Sequence, residues 1–209
     1  MGSSDLLLSI FRASGQSCAA GSRLLLHEKI HDEVLGEVAK RAANIRIGDP
    51  LDEASQMGPL ATLGQLHNIQ NALAEATSSG ARLVHGGQQP EGLGDGWYYE
   101  PTVVACPSQN LGIVRNELFG PVVSALRFRD EEEAIRLAND SRFGLAAGVF
   151  SGNLGRALRV TQALRCGIVW VNTYRMVSPL APFGGYKNSG YGRERSEEHT
   201  SELQSRAYL

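Results

Sequence analysis

Cys18 is the residue of this sequence whose type and setting best suit covalent chemistry. It stands in "SGQSCAAGSR" (14–23), with Gly15 before it and Ala19, Ala20 and Gly21 after it. A thiolate is the strongest nucleophile among ordinary side chains, provided it is exposed and ionisable. Gly15 permits a tight turn ahead of the sulfur, and the small residues beyond leave the approach open. Backbone N–H groups of such a turn can donate to the oxyanion that forms when a carbonyl is attacked. Read alone, the same cysteine also fits a small buried hydrophobe.

Two further segments imitate known chemistry. "HEKIH" (27–31) has the H-E-x-x-H form of zinc peptidases, with His27 and His31 as ligands and Glu28 as base. On one helix the two histidines would share a face. The motif directly follows an apparent strand, however, so His27 is expected in the turn ahead of the helix. Val34 also stands where the longer zinc signature needs glycine, and no third-ligand helix follows. No metal site is expected. "GYKNSGYG" (185–192) has the glycine spacing of a phosphate-binding loop, but Tyr191 and Gly192 replace the required Lys and Ser/Thr. Cys106, before Pro107, and Cys166, at the head of an apolar run, read as structural.

These residues need elements to hold them. "RLLL" (23–26) reads as a short strand. Ile30, Val34, Leu35, Val38, Ala42 and Ile45 recur at helical spacing, and "IGDP" ends that helix. Met57, Gly58 and Pro59 lie in a loop. Leu66, Ile69, Leu73 and Ala76 mark a second helix, closed at Gly80. "ARLVHGG" is a strand entering a turn, 86–96 is loop, and 98–105 is extended. Asp130 and Glu133 form a capping box for a helix over 131–139. "AAGVFS" is a strand, and Leu154, Ala157, Leu158, Thr161 and Leu164 form one helix face. "GIVWVN" (167–172) is apolar on both faces, as buried parallel strands are. The alternation predicts an α/β fold with a largely parallel sheet flanked by helices.

Composition narrows the functional classes. The 209 residues are 42% hydrophobic with a net charge of −2, which gives no reason to expect a nucleic-acid or membrane partner. Three cysteines without a C-x-x-C pair fit free thiols in a reducing compartment, and the expected location is cytoplasmic. No apolar run approaches the roughly 20 residues of a spanning helix. The stretch 195–209, "RSEEHTSELQSRAYL", is polar and without core periodicity. It resembles the translation of a common sequencing-library adapter, so an assembly artefact or a disordered natural tail is expected there. Residues 1–10 are read as an N-terminal remnant and 11–194 as one catalytic domain.

Four ordered segments together resemble the aldehyde dehydrogenase superfamily. "GQSCAAGSR" looks like its catalytic cysteine motif. "GDPLDEASQMGPL" (48–60) is similar to the stretch after its next helix. "NELFGPV" (116–122) resembles its E-x-F-G-P motif, and "GIVWVNTYRMVSPLAPFGGYKNSGYGRE" (167–194) its C-terminal signature. The resemblance implies the fold of that family's catalytic domain and oxidation of an aldehyde to a carboxylic acid with NAD or NADP. Cys18 would form a thiohemiacetal and then a thioester, which water would open. Glu117 maps to the glutamate that holds the ribose next to the nicotinamide, and Phe119 to the aromatic beside it. Phe183 maps to a residue lining the substrate tunnel. Asn172, Gly184, Gly185 and Lys187 read as structural. Ala13 departs from the Asn that many members carry there and marks a subgroup.

The same resemblance implies absences. The family's amino-terminal half carries its Rossmann-like cofactor domain, a general-base glutamate in E-L-G-G, and an oxyanion-hole asparagine. None of these occurs in this sequence. The isolated chain is therefore expected not to oxidise aldehydes at a useful rate, although the full-length protein would be a homo-oligomer acting on a small-molecule aldehyde. Two other readings stay open: a cofactor-independent cysteine esterase or acyl-transfer domain, and a non-catalytic fragment.

Overall fold

The computed structural model describes residues 10–176, 178 and 181–194. The segments 1–9 and 195–209, where the remnant and tail readings fall, lie outside the described residues. The chain divides into two compact units, one reaching to Ala134 and one starting at Ile135.

The first unit is built on a four-stranded sheet. Its strands are β1 (Arg23–His27), β2 (Arg82–His85), β3 (Thr102–Ala105) and β4 (Val122–Phe128), in the order β1-β4-β3-β2. β4 runs parallel to both β1 and β3, and only β2 is antiparallel to its neighbour. The sheet is thus largely parallel, as the alternation of apolar segments predicts. β4, the inner strand that joins β1 to β3, is buried over its first five residues, a pattern that needs cover on both faces.

Two long helices supply much of that cover. Helix α1 (His31–Ala42) buries Leu35, Val38 and Ala42 and packs against β1, β2 and β3. Helix α2 (Leu63–Ser78) buries Leu66, Ile69, Leu73 and Ala76, at the spacing read from the sequence. These four side chains join Tyr99, Val104, Val122 and Leu126 in one apolar cluster. Thr62 caps α2 by accepting the Gln65 N–H at 3.1 Å. Beyond α2, Ala81 N–H returns to Ala76 O at 2.9 Å around Gly80, whose φ is +90°. A single turn, α3 (Gly112–Arg115), precedes the 116–122 segment.

Helix α4 (Glu131–Asn139) begins as expected, with Asp130 Oδ1 accepting the Glu133 N–H at 2.8 Å. The Glu133 carboxylate reaches back to the Arg129 N–H at 2.9 Å, one residue ahead of the cap.

The second unit pairs β6 (Ala146–Val149) in parallel with β7 (Ile168–Val171), through helix α5 (Leu154–Ala163). The short strands β5 (Phe143–Gly144) and β8 (Tyr186–Lys187) pair antiparallel. On α5, Ala157 is buried, but Leu154 and Leu158 of the same apolar stripe are 67% and 50% exposed. Asn172 ends β7 at φ +55°, its amide bonded both ways to the Ser151 backbone. The Lys187 ammonium donates to the carbonyls of Asn139 and Ser141 at 2.7 and 3.0 Å.

Candidate active site

The turn that carries Cys18 begins in left-handed backbone. Ala13, Ser14 and Gly15 have φ of +56°, +56° and +68°. Only glycine adopts this region freely, so Ala13 and Ser14 need support from outside. Ser14 Oγ donates to Gly58 O at 2.8 Å, and Gln16 N–H closes on Ala13 O at 2.9 Å. The Gln16 side chain grips the neighbouring loop twice, accepting the Ala61 N–H at 2.8 Å and donating to Pro59 O at 3.4 Å. Past this anchored stretch, Ala20 N–H bonds Ser17 O at 2.9 Å. That tight turn carries Cys18 on its outside, where the residue is exposed. Among the described residues, no backbone carbonyl accepts the Cys18 N–H.

The other two cysteines sit differently. Cys106, just past β3, is buried, and burial pushes its thiol up to about 11. Cys166 is half-buried, and burial raises its thiol as well. The sulfur that is open to solvent is therefore that of Cys18.

The 117–120 segment comes to this turn through its glycines. A Cβ on Gly15 would overlap the carbonyl of Gly120 and reach Pro121 N at 2.9 Å. Gly120 has its own tight neighbour, since a Cβ there would run into the Ile69 side chain of α2. Two motifs distant in sequence thus meet backbone to backbone. Leu118 points into the core at 8% exposure, while Glu117 is exposed and Phe119 is 41% exposed. Phe119 also has left-handed backbone, φ +52°. The Gln65 side-chain amide donates to the carbonyls of both Leu118 and Phe119, the latter at 3.1 Å.

Three of the four expected site residues, Cys18, Glu117 and Phe119, therefore occur on one face-to-face pair of loops in the first unit. Phe183 belongs to the second unit, where it is half-buried and pairs its backbone with Glu194 at 3.1 and 2.8 Å. The zinc-like motif is pulled apart. His27 is the last residue of β1, its ring edge-on to Phe128, and a turn separates it from His31, the first residue of α1. His31 is 3% exposed and its Nδ1 lies 2.9 Å from the Asp32 carboxylate. Hydrogen bonds from Arg127, then from His31, hold that carboxyl below its usual range. Among the described residues, no three His, Cys, Asp or Glu side chains group as a metal site. No helix among them is long and apolar enough to cross a membrane.

Comparison with known proteins decides the family. A model of the aldehyde dehydrogenase family matches residues 3–207. The chain belongs to the aldehyde dehydrogenase family. It is 51% identical over 189 residues to (Z)-2-((N-methylformamido)methylene)-5-hydroxybutyrolactone dehydrogenase of Acinetobacter baylyi, covering 90% of this chain and 38% of that one. It is 46% identical to the peroxisomal aminoaldehyde dehydrogenase 2 of Pisum sativum, covering 90% and 37%. A solved aldehyde dehydrogenase, betaine aldehyde dehydrogenase of Staphylococcus aureus in complex with NAD+, superposes with a TM-score of 0.92 at 39% identity, covering 96% of this chain and 40% of that one. The chain thus spans about two fifths of the length of the aldehyde dehydrogenases it matches. Gln16 and Gln65 hold the two loops by side-chain hydrogen bonds that sequence reasoning does not bring forward. The only sequence signal for Gln65 is its place three residues after Thr62, which reads as a self-contained cap.

Proposed function

We propose that this chain supplies the cysteine-bearing part of an NAD(P)-dependent aldehyde dehydrogenase that oxidises an aldehyde to a carboxylic acid. The observation that carries this reading is the close approach of Gly15 to Gly120. It supports the reading because the loop of the exposed Cys18 meets the loop of the exposed Glu117 and Phe119, and such a reaction needs its groups near one another.

Cys18 Sγ adds to the aldehyde carbon, making a carbon–sulfur bond and moving the carbonyl π electrons onto oxygen. The Cys18 N–H, which no described backbone carbonyl occupies, is available to donate to that oxygen. The residues fit the cofactor by their chemistry. The Glu117 carboxylate has two oxygens to accept the two hydroxyls of a ribose, and the Phe119 ring offers a flat apolar wall beside it. When bound there, a nicotinamide supplies the hydride acceptor that turns the sulfur-bound carbon into a thioester. Water then opens the thioester, releasing the acid and the Cys18 thiol. The NAD+ complex of the Staphylococcus aureus relative supports NAD+ as the cofactor. The three free thiols support a reducing compartment such as the cytoplasm.

The test uses the reading frame extended upstream of Met1. A product carrying an E-L-G-G segment forms NADH in the presence of aldehyde, and Cys18→Ala abolishes this while Cys106→Ala and Cys166→Ala do not. The 209-residue chain alone forms no acid steadily. Steady NAD-dependent acid formation by that chain, or retention of activity in Cys18→Ala, overturns the reading. A cysteine acyl-transfer domain is the second reading, favoured by the exposed sulfur and available N–H alone. It predicts turnover of activated esters by the 209-residue chain without NAD.

A further inference from the structure

We propose that Gln65 is a positioning residue for Glu117 and Phe119. This rests on the ribose and nicotinamide roles proposed for those two residues, but its core is a relation between Gln65 and the backbone of the 118–119 turn.

Phe119 sits at φ +52° without being glycine, so its conformation needs an external hold. The Gln65 amide provides it. Its –NH2 group has two donors, and both neighbouring carbonyls, Leu118 O and Phe119 O, accept from it. A turn in which two successive carbonyls converge on one amide group is set in orientation as well as in place. The consequence is the observed alternation: Leu118 inward, Glu117 and Phe119 outward.

Gln65 is itself fixed independently of this task. Its backbone N–H is taken by the Thr62 hydroxyl at 3.1 Å, so the cap of α2 does not depend on its side chain. From the same helix, Leu66 and Ile69 are buried at 2% and 0% exposure, which anchors the first turn in the core. Helix α2 thereby acts on the second site loop through Gln65, while the preceding loop acts on the cysteine turn through Gln16. One continuous stretch, residues 58–65, holds both halves of the site.

The test uses the 209-residue chain and an isosteric change. Gln65→Glu keeps the shape but sets a carboxylate against two carbonyl oxygens. An acid in the first turn suits the helix dipole, so α2 is retained. Amide hydrogen exchange across 117–122 is expected to rise about tenfold in Gln65→Glu, with exchange in β3 unchanged. Gln65→Lys, which keeps N–H donors on a long stem, restores protection. Nicotinamide mononucleotide serves as the ribose probe. Where Glu117→Gln weakens its binding, Gln65→Glu weakens it about tenfold too, and Gln65→Lys recovers it. Unchanged exchange across 117–122 in Gln65→Glu overturns the proposal, as does probe binding lost in Glu117→Gln but intact in Gln65→Glu. If Glu117→Gln leaves probe binding untouched, the ribose reading of Glu117 fails, and the exchange measurement alone decides the role of Gln65.

Discussion

Gly15 meets the carbonyl of Gly120 so closely that neither a methyl group nor any larger side chain fits between them. The contact is strained for any other residue twice over, by space and by its φ of +68°. Gly15→Ala is therefore expected to cost about 2–4 kcal/mol, from left-handed strain together with overpacking. Gly36 provides the contrast. It lies in α1, and a Cβ added there would meet nothing within 4 Å, so Gly36→Ala is expected to stabilise by about 0.5–1 kcal/mol. Denaturant midpoints of the two variants, moving in opposite directions, check the pair.

Alkylation of the native chain is expected to follow burial. Cys18 is exposed and reacts first, Cys166 is half-buried and follows slowly, and Cys106 is protected until the first unit unfolds. The raised thiols of Cys166 and Cys106 act in the same direction, because the thiolate is the reactive form. Timed iodoacetamide labelling with peptide mapping reads the order. Modification of Cys106 ahead of Cys18 in folded protein would contradict a nucleophile at residue 18.

Stability is expected to decline in alkali. Burial pushes the Cys106 thiol from 9.0 up to about 11 and the Tyr99 hydroxyl from 10.0 up to about 12. Each group holds its proton more tightly folded than unfolded. The unfolded chain thus loses protons first, and stability falls as pH rises through that interval. Both contributions are fully present below pH 9 and lost by pH 12. Cys106→Ala, measured by denaturation across the same range, is expected to flatten the lower part of the decline.

Zinc is not expected to bind stoichiometrically at 27–31. His27 belongs to a strand, and His31 is buried beside Asp32 at the start of a helix. Bringing both rings to one ion would require breaking the first turn of α1. Elemental analysis of the purified chain is expected to find far less than one zinc per molecule.

The long helices of the first unit are legible because each shows one apolar stripe to the core. Leu66, Ile69, Leu73 and Ala76 announce α2 by spacing alone. β4 escapes a reading by pattern, although it joins β1 to β3 in the sheet. "VVSALRF" lacks the alternation of a half-buried strand because its first five residues are covered on both faces. "GIVWVN" lacks alternation too, and is legible as a short run that is apolar on both faces. Leu154 and Leu158 illustrate the opposite failure: helical spacing identifies a stripe but not whether anything covers it. Motifs indicate Cys18, Glu117 and Phe119 by type. The hydrogen bonds of Gln16 and Gln65, which tie those loops together, depend on chain segments meeting across the fold, and local pattern carries no trace of that.

The register of β1 against β4 has a bearing on biosynthesis. Leu24 lies alongside Ala125, so the strand just after the cysteine waits for a partner made much later. On the ribosome Cys18 precedes β4 and stays a bare thiol on an unpaired segment until that strand arrives. Its oxidation or capture by small electrophiles is then most damaging during translation, before the second loop has arrived to shape its surroundings.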